Sequence, residues 1–205
     1  MLASKRLFDV VVGSVALVLA SPLFLLLSVL IVADSRGPVF FRQVRLGRDM
    51  VPFWVWKFRT MVERDPETID QQAEAVVTAG RDPRVTRVGR LLRLTSLDEL
   101  PQLINVIRGE MSLVGPRPIL PEQLEVVPQE FQARFQVRPG ITGLAQVRGR
   151  RSLDWLEQLR CDVEYVQRRS LAFDLLIMLQ TVRVVLTRAG IYGSREKNWR
   201  AYRKQ

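Results

Sequence analysis

From Val10 to Ala33 the chain carries no charged residue, a run long enough to cross a bilayer as one helix. Ser21-Pro22 interrupts its middle. A proline there removes a backbone hydrogen bond and crowds the preceding turn, so a sharp kink or a break is expected. Both flanks are basic, with Lys5 and Arg6 on one side and Arg36, Arg42, Arg45 and Arg48 on the other. The positive-inside rule cannot place both flanks inside if the helix spans. A basic start before an apolar run also suits a signal peptide, but this run is long for one and no small-x-small cleavage site follows it. Residues 7–34 therefore read as a re-entrant helix-break-helix that enters and leaves by one face, with Ser21 helping to satisfy backbone groups freed at the break. A kinked spanning helix is the rival.

After Gly37-Pro38 the pattern shortens. Residues 39–46 and 51–61 hold aromatic and β-branched runs separated by the turn signal Gly47-Arg48-Asp49, which predicts short strands. Trp54 and Trp56 suit either a membrane-interface level or hairpin packing. Lys57 and Arg59 alternate with Trp56 and Phe58 and are expected on one face. Residues 62–82 are polar and acidic and predict a short helix and a surface loop. Residues 84–94 read as a helix with Val85, Val88, Leu91 and Leu92 inward and Arg84, Arg87 and Arg90 along another side. Residues 121–136 predict a polar helix and 152–169 an amphipathic one. The run from Leu171 to Leu186 contains Asp174, Gln180 and Arg183. Those residues argue for an interface-lying or core helix rather than a span, and leave membrane contact and a homodimer seam both open. The predicted class is α+β, mainly helical. It comprises a membrane hairpin over 1–35, a cytoplasmic domain over 36–193 with short strands and amphipathic interface helices, and a basic, frayed tail over 194–205.

Composition narrows the chemistry. The chain of 205 residues has a formal charge of +10, one cysteine and no histidine. The charge calls for a polyanionic partner. The missing histidine excludes Ser-His-Asp and Cys-His catalysis and His-ligated zinc, so catalysis must use carboxylates, Lys, Arg, Tyr or hydroxyls, and a metal would be a hard, oxygen-liganded ion such as magnesium. Asp98 and Glu99 stand together in Thr95-Ser-Leu-Asp-Glu-Leu-Pro-Gln-Leu-Ile-Asn105, amid Arg84, Arg87, Arg90, Arg93, Arg108, Arg117 and Arg138. Pro101 places a helix start beside the pair, and Gly109 suits its end. The plain alternative is a capping box in which Ser96 caps and Glu99 reaches back. Two further turns hold an arginine stiffly, Gly115-Pro-Arg-Pro118 and Arg138-Pro-Gly140. A guanidinium held this way loses little entropy on gripping a phosphate, and the glycines near Arg138 would let the backbone approach a ligand. A carboxylate beside magnesium can attack phosphorus. An anchored chain implies a lipid substrate.

These motifs occur in order: Lys5-Arg6-Leu-Phe-Asp9, Ser21-Pro22, Gln43-x-Arg-x-Gly47, Lys57-Phe-Arg-Thr-Met61, Thr86-Arg-x-Gly-Arg90, Ser96-Leu-Asp-Glu-Leu-Pro-Gln-Leu103, Met111-Ser-Leu-Val-Gly-Pro-Arg-Pro118 and Arg138-Pro-Gly-Ile-Thr-Gly143. Together they resemble the bacterial monotopic phosphoglycosyl transferases over nearly the whole chain. The resemblance implies a re-entrant helix broken at Ser21-Pro22 in the bacterial inner membrane and an active site on the cytoplasmic face. It implies transfer of a phosphosugar from a UDP-sugar to polyprenyl phosphate, with release of UMP and use of Mg2+. By motif position Asp98 is the nucleophile, Glu99 a magnesium ligand with Asp98, and Arg117 a nucleotide contact. Lys57, Arg59, Arg87 and Arg138 are the remaining expected phosphate contacts. A metal-dependent lipid phosphatase and a basic membrane-tethered binder are the alternatives. Nucleic acid is not expected as a partner, because the aromatics concentrate in residues 40–58 while the arginines sit in turns beside the acids.

Overall fold

The computed structural model describes residues 2–62, 82–187 and 198–203. Helix α1 spans Leu2–Asp34 and contains Pro22. The expected break is not a division into two helices: the element is continuous. Pro22 has no N–H for the carbonyl of Val18, four residues earlier, and the Ser21 hydroxyl donates to that carbonyl instead, at 2.7 Å. The serine thus satisfies the group that the proline orphans.

Both halves of α1 are fastened to the same domain. Near its start, Arg6 donates to the carbonyls of Val106 and Ile107 at 2.5 and 2.7 Å. Asp9 accepts from the Ser112 hydroxyl and the Leu113 amide at 2.8 and 3.2 Å. Lys5 bridges Asp9 and Asp174, each at 2.8 Å. Near its end, Asp34 accepts from the Val88 amide at 2.8 Å, while Leu27 and Ile31 pack in a cluster with Phe58 and Leu92. Between these ties α1 presents a bare apolar face that includes Val11, Val15, Val18, Leu19, Leu25, Leu26 and Val29.

The two predicted strands form an antiparallel hairpin, β1 (Phe40–Leu46) and β2 (Pro52–Phe58), with Phe40 opposite Phe58 and Leu46 opposite Pro52. Phe58 is buried between Phe40 and Phe24, at ring-centroid distances of 5.4 and 5.0 Å, which anchors the hairpin to the second half of α1. Burying such a side chain contributes about 2–3 kcal/mol. A second sheet is a parallel pair, β3 (Ser112–Val114) and β4 (Gly140–Thr142). A Cβ on Gly140 would lie 2.1 Å from the Gly115 amide nitrogen. The glycine after Arg138 therefore lets two backbones meet, where the sequence suggested approach to a ligand.

Helix α2 (Arg87–Thr95) starts later than expected, with Thr86 capping through the Gly89 amide. Leu92 is fully buried, but Leu91 is 53% exposed rather than inward. Helix α3 (Gln102–Arg108) ends at Gly109, whose φ of 86° is the left-handed cap that favours glycine. Residues 121–136 form two 3-10 turns, Pro121–Val126 and Gln129–Gln136, not one helix, because Pro128 stands between them. A short α4 (Leu144–Arg148) precedes α5 (Trp155–Arg168), which opens on a capping box of Asp154 and Glu157. Helix α6 (Leu171–Thr187) buries Asp174 and Ile177 but exposes Leu175, Leu179, Val182 and Leu186, so one apolar side of it is uncovered. Trp199 is buried in a cluster with Trp155 and Leu159, and the Tyr202 hydroxyl donates to Asp154 at 2.7 Å. That part of the tail is packed, not frayed. The helix and loop expected over 62–82 lie almost wholly outside the described residues.

Candidate active site

The acid pair does not lie in a helix. Leu97–Glu99 form a 3-10 turn between α2 and α3, entered through Ser96 at φ 58° and left through Pro101 at φ −61°. The capping box is absent here. The Ser96 side chain makes no cap bond and instead accepts from Arg150 Nη2 at 3.2 Å. Glu99 turns away from the backbone and accepts from Lys57 Nζ at 2.8 Å and from Arg117 Nη2 at 2.6 Å, both through Oε1. Arg117 Nη1 adds a contact of 3.4 Å to Oε2.

This wiring separates the two carboxylates. Burial alone would raise the Glu99 carboxyl, but Arg117 and Lys57 outweigh it and hold Glu99 well below the usual carboxylate range. Burial pushes the Asp98 carboxyl up, against the pull of Lys57, and the charge of Glu99 adds to the rise. Among the described residues no hydrogen bond to Asp98 is found. Asp98 is thus the more basic and less committed oxygen donor of the pair, the property a carboxylate nucleophile needs.

The surroundings fix these positions. Lys57 projects from β2, whose edge is held by Asn105 of α3. Arg117 sits between Pro116 and Pro118, and its carbonyl accepts from Arg134 Nη2 at 2.8 Å. Arg134 is itself paired with Asp162 at 2.7 Å, with both side chains almost fully buried.

Of the residues expected to meet substrate phosphates, the fold brings Lys57 and Arg117 to the acid pair. Arg59 is buried elsewhere: it donates to the carbonyls of Ser35 and Arg36 at 2.6 and 2.7 Å, satisfying the free carbonyls at the end of α1. Strand β2 ends at Phe58, so the alternation that put Lys57 and Arg59 on one face no longer applies. Arg138 donates to the Gly109 carbonyl at 2.7 Å and so closes the end of α3. Arg87 is exposed on the first turn of α2. Ser21 and Pro22 lie in α1, away from the acid pair in sequence and tied to its backbone. Two further cations lie near the acids: Arg93, one of the arginines that crowd the pair in sequence, and Arg150, which had no role in the sequence argument. Arg93 donates to the Thr60 hydroxyl at 3.0 Å and lies close enough to Asp98 to act on its charge. Arg150 acts similarly on both acids. Arg150 holds φ at 55° without being glycine, a strained conformation that sequence periodicity does not announce.

The chain matches the model of the bacterial sugar transferase family over residues 1–188. It is 42% identical to the exopolysaccharide production protein ExoY of Rhizobium meliloti, covering 92% of this chain and 88% of that protein. It is 46% identical to a UDP-glucose:undecaprenyl-phosphate glucose-1-phosphate transferase of Caulobacter vibrioides, covering 92% and 72%. It is 40% identical to an undecaprenyl-phosphate galactose phosphotransferase of Salmonella typhimurium, covering 92% of this chain and 41% of that longer protein. The chain therefore belongs to the bacterial sugar transferase family and is a phosphoglycosyl transferase.

Proposed function

We propose that the protein transfers a phosphosugar from a UDP-sugar to polyprenyl (undecaprenyl) phosphate at the cytoplasmic face of the bacterial inner membrane, as a step in exopolysaccharide or other glycoconjugate assembly. The observation that carries this reading is the division of labour at the acid pair, with Glu99 fixed by two cations and Asp98 left to react. An Asp98 carboxylate oxygen attacks the phosphorus that bears the sugar. The bond from that phosphorus to the bridging oxygen breaks, and UMP leaves with the electron pair. An oxygen of polyprenyl phosphate then attacks the same phosphorus, the acyl-phosphate bond breaks, and Asp98 returns as a carboxylate. Lys57 and Arg117 keep Glu99 ionised and place positive charge where the phosphates bind.

Magnesium fits this donor set. Asp98 and Glu99 offer adjacent carboxylate oxygens, and among the described residues no group of three or more acidic side chains stands together. Magnesium commonly takes one or two carboxylates together with substrate phosphates. Asp98 and Glu99 would hold it, and it would supply charge neutralisation at the phosphates.

The ties at both ends of α1 support a helix that dips into one leaflet, because a spanning helix could keep only one end at the domain. The exposed apolar side of α6 joins α1 in contacting membrane lipids.

The test is UMP release in nanodiscs from a panel of UDP-sugars, with and without undecaprenyl phosphate. The expected result is turnover that requires one donor, the lipid phosphate and magnesium. Release of inorganic phosphate from undecaprenyl phosphate, independent of any UDP-sugar, would instead favour a lipid phosphatase.

A further inference from the structure

Asn105 closes the stretch that bears the acid pair, and its side chain is fully buried. Its Oδ1 accepts from the Trp56 amide at 3.1 Å, and its Nδ2 donates to the Trp54 carbonyl at 2.7 Å. Those two backbone groups flank Val55 on one edge of β2 and are the pair that a neighbouring parallel strand would engage. Among the described residues the sheet of β1 and β2 has two strands, and a two-stranded hairpin is marginal by itself. The side-chain amide of Asn105 takes the place of a third strand's peptide. The remaining Nδ2 proton goes to Glu110 Oε2, also at 2.7 Å, so the amide is committed on three sides.

The consequence lies one residue further along. Lys57 follows Trp56, and its ammonium meets Glu99. Glu99 ends the turn that leads into α3, the helix carrying Asn105. The Lys57–Glu99 contact is therefore closed by a short loop of structure whose other link is Asn105 on Trp56. We propose that Asn105 is a positioning residue for the reaction: it sets the register of β2 against α3 and so fixes Lys57 on Glu99. This rests on the reading of Asp98 and Glu99 as the reacting pair. Asn105 itself touches no reacting group.

Two readouts test it in the full-length protein in nanodiscs. The first is independent of activity: acetylation of Lys57 by a succinimidyl ester, read by peptide mass spectrometry with Lys5 as internal reference. Asn105→Gln keeps the amide but displaces it by one methylene, and Asn105→Asp keeps the acceptor for Trp56 while opposing Trp54 and Glu110. Both variants are expected to raise Lys57 acetylation several-fold relative to Lys5. The second readout is the kinetics of UMP release. Misplacement by about 1 Å can lower a rate about a hundredfold, so kcat should fall on that order while KM for the UDP-sugar stays within about twofold. Adding Glu110→Gln to Asn105→Asp gives the new carboxylate a donor and should recover part of the loss.

A loss confined to KM, unchanged Lys57 acetylation, or activity per folded molecule equal to wild type would each overturn the assignment. So would a Glu110→Gln second change that rescues nothing. If the wild type releases no UMP from any donor, the transferase reading fails instead, and the acetylation result still decides whether Asn105 holds Lys57.

Discussion

Arg117 grips Glu99 as a fork, with Nη2 at 2.6 Å from one carboxylate oxygen and Nη1 at 3.4 Å from the other. A lysine at this position would keep the charge but lose the fork. Arg117→Lys is expected to lower the UMP release rate about a hundredfold, the scale seen when one preorganised donor is removed. Near-normal turnover in that variant would show that charge alone suffices at position 117.

The membrane geometry gives a second prediction. On the re-entrant reading proposed above, α1 is tied to the domain at Arg6 and at Asp34 and has both ends on one side of the bilayer. Single cysteines introduced at the exposed positions Ala3→Cys and Arg36→Cys should both resist a membrane-impermeant maleimide in intact spheroplasts, and both should react once the membrane is opened. Reaction of Ala3→Cys alone in intact spheroplasts would make α1 a spanning helix.

The native thiol does not complicate that experiment. Cys161 is 7% exposed in α5, and burial pushes its thiol above the ordinary value. Since the thiolate is the reactive form, Cys161 should be silent toward maleimide in the folded protein and titrate as one thiol in denaturant. Rapid labelling at neutral pH would contradict the packing of α5 against α4.

A fourth prediction concerns stability. Asp9 and Asp174 are each about 1% exposed, and Lys5 is shared between them. Lys5→Met would leave two buried carboxylates without their cation, at a cost of about 3–5 kcal/mol, visible as a lower melting temperature in detergent. Lys5→Arg should lose much less. An unchanged melting temperature in Lys5→Met would show that water already serves these acids.

Much of this was legible in the chain because it depends on local rules. The apolar run, the hairpin signalled by Gly47, the stop at Gly109 and the acid pair before Pro101 all express short-range preferences. Lys57 and Arg117 could be nominated from their motifs. What sequence spacing could not distinguish was a guanidinium that reaches the acid pair from one that closes a helix end. Arg59 and Arg138 answer free carbonyls at the ends of α1 and α3, a need that arises only once those helices are placed. Arg150 and Asn105 escaped notice for a related reason: their partners, Ser96 and the edge of β2, are distant in sequence. The continuity of α1 through Pro22 turned on a single hydroxyl, which the residue order Ser21-Pro22 allowed but did not require.

The most direct measurement is a single-turnover experiment without acceptor, using a UDP-sugar carrying 32P in the sugar-linked phosphate. The account predicts that label transfers to the protein with one UMP released per labelled chain. Hydroxylamine should remove the label, undecaprenyl phosphate should chase it into lipid, and peptide mapping should place it on Asp98. Asp98→Asn should take up none. UMP formed only when the lipid is present, with no label ever on the protein, would contradict the aspartyl intermediate and point to direct transfer between the two substrates.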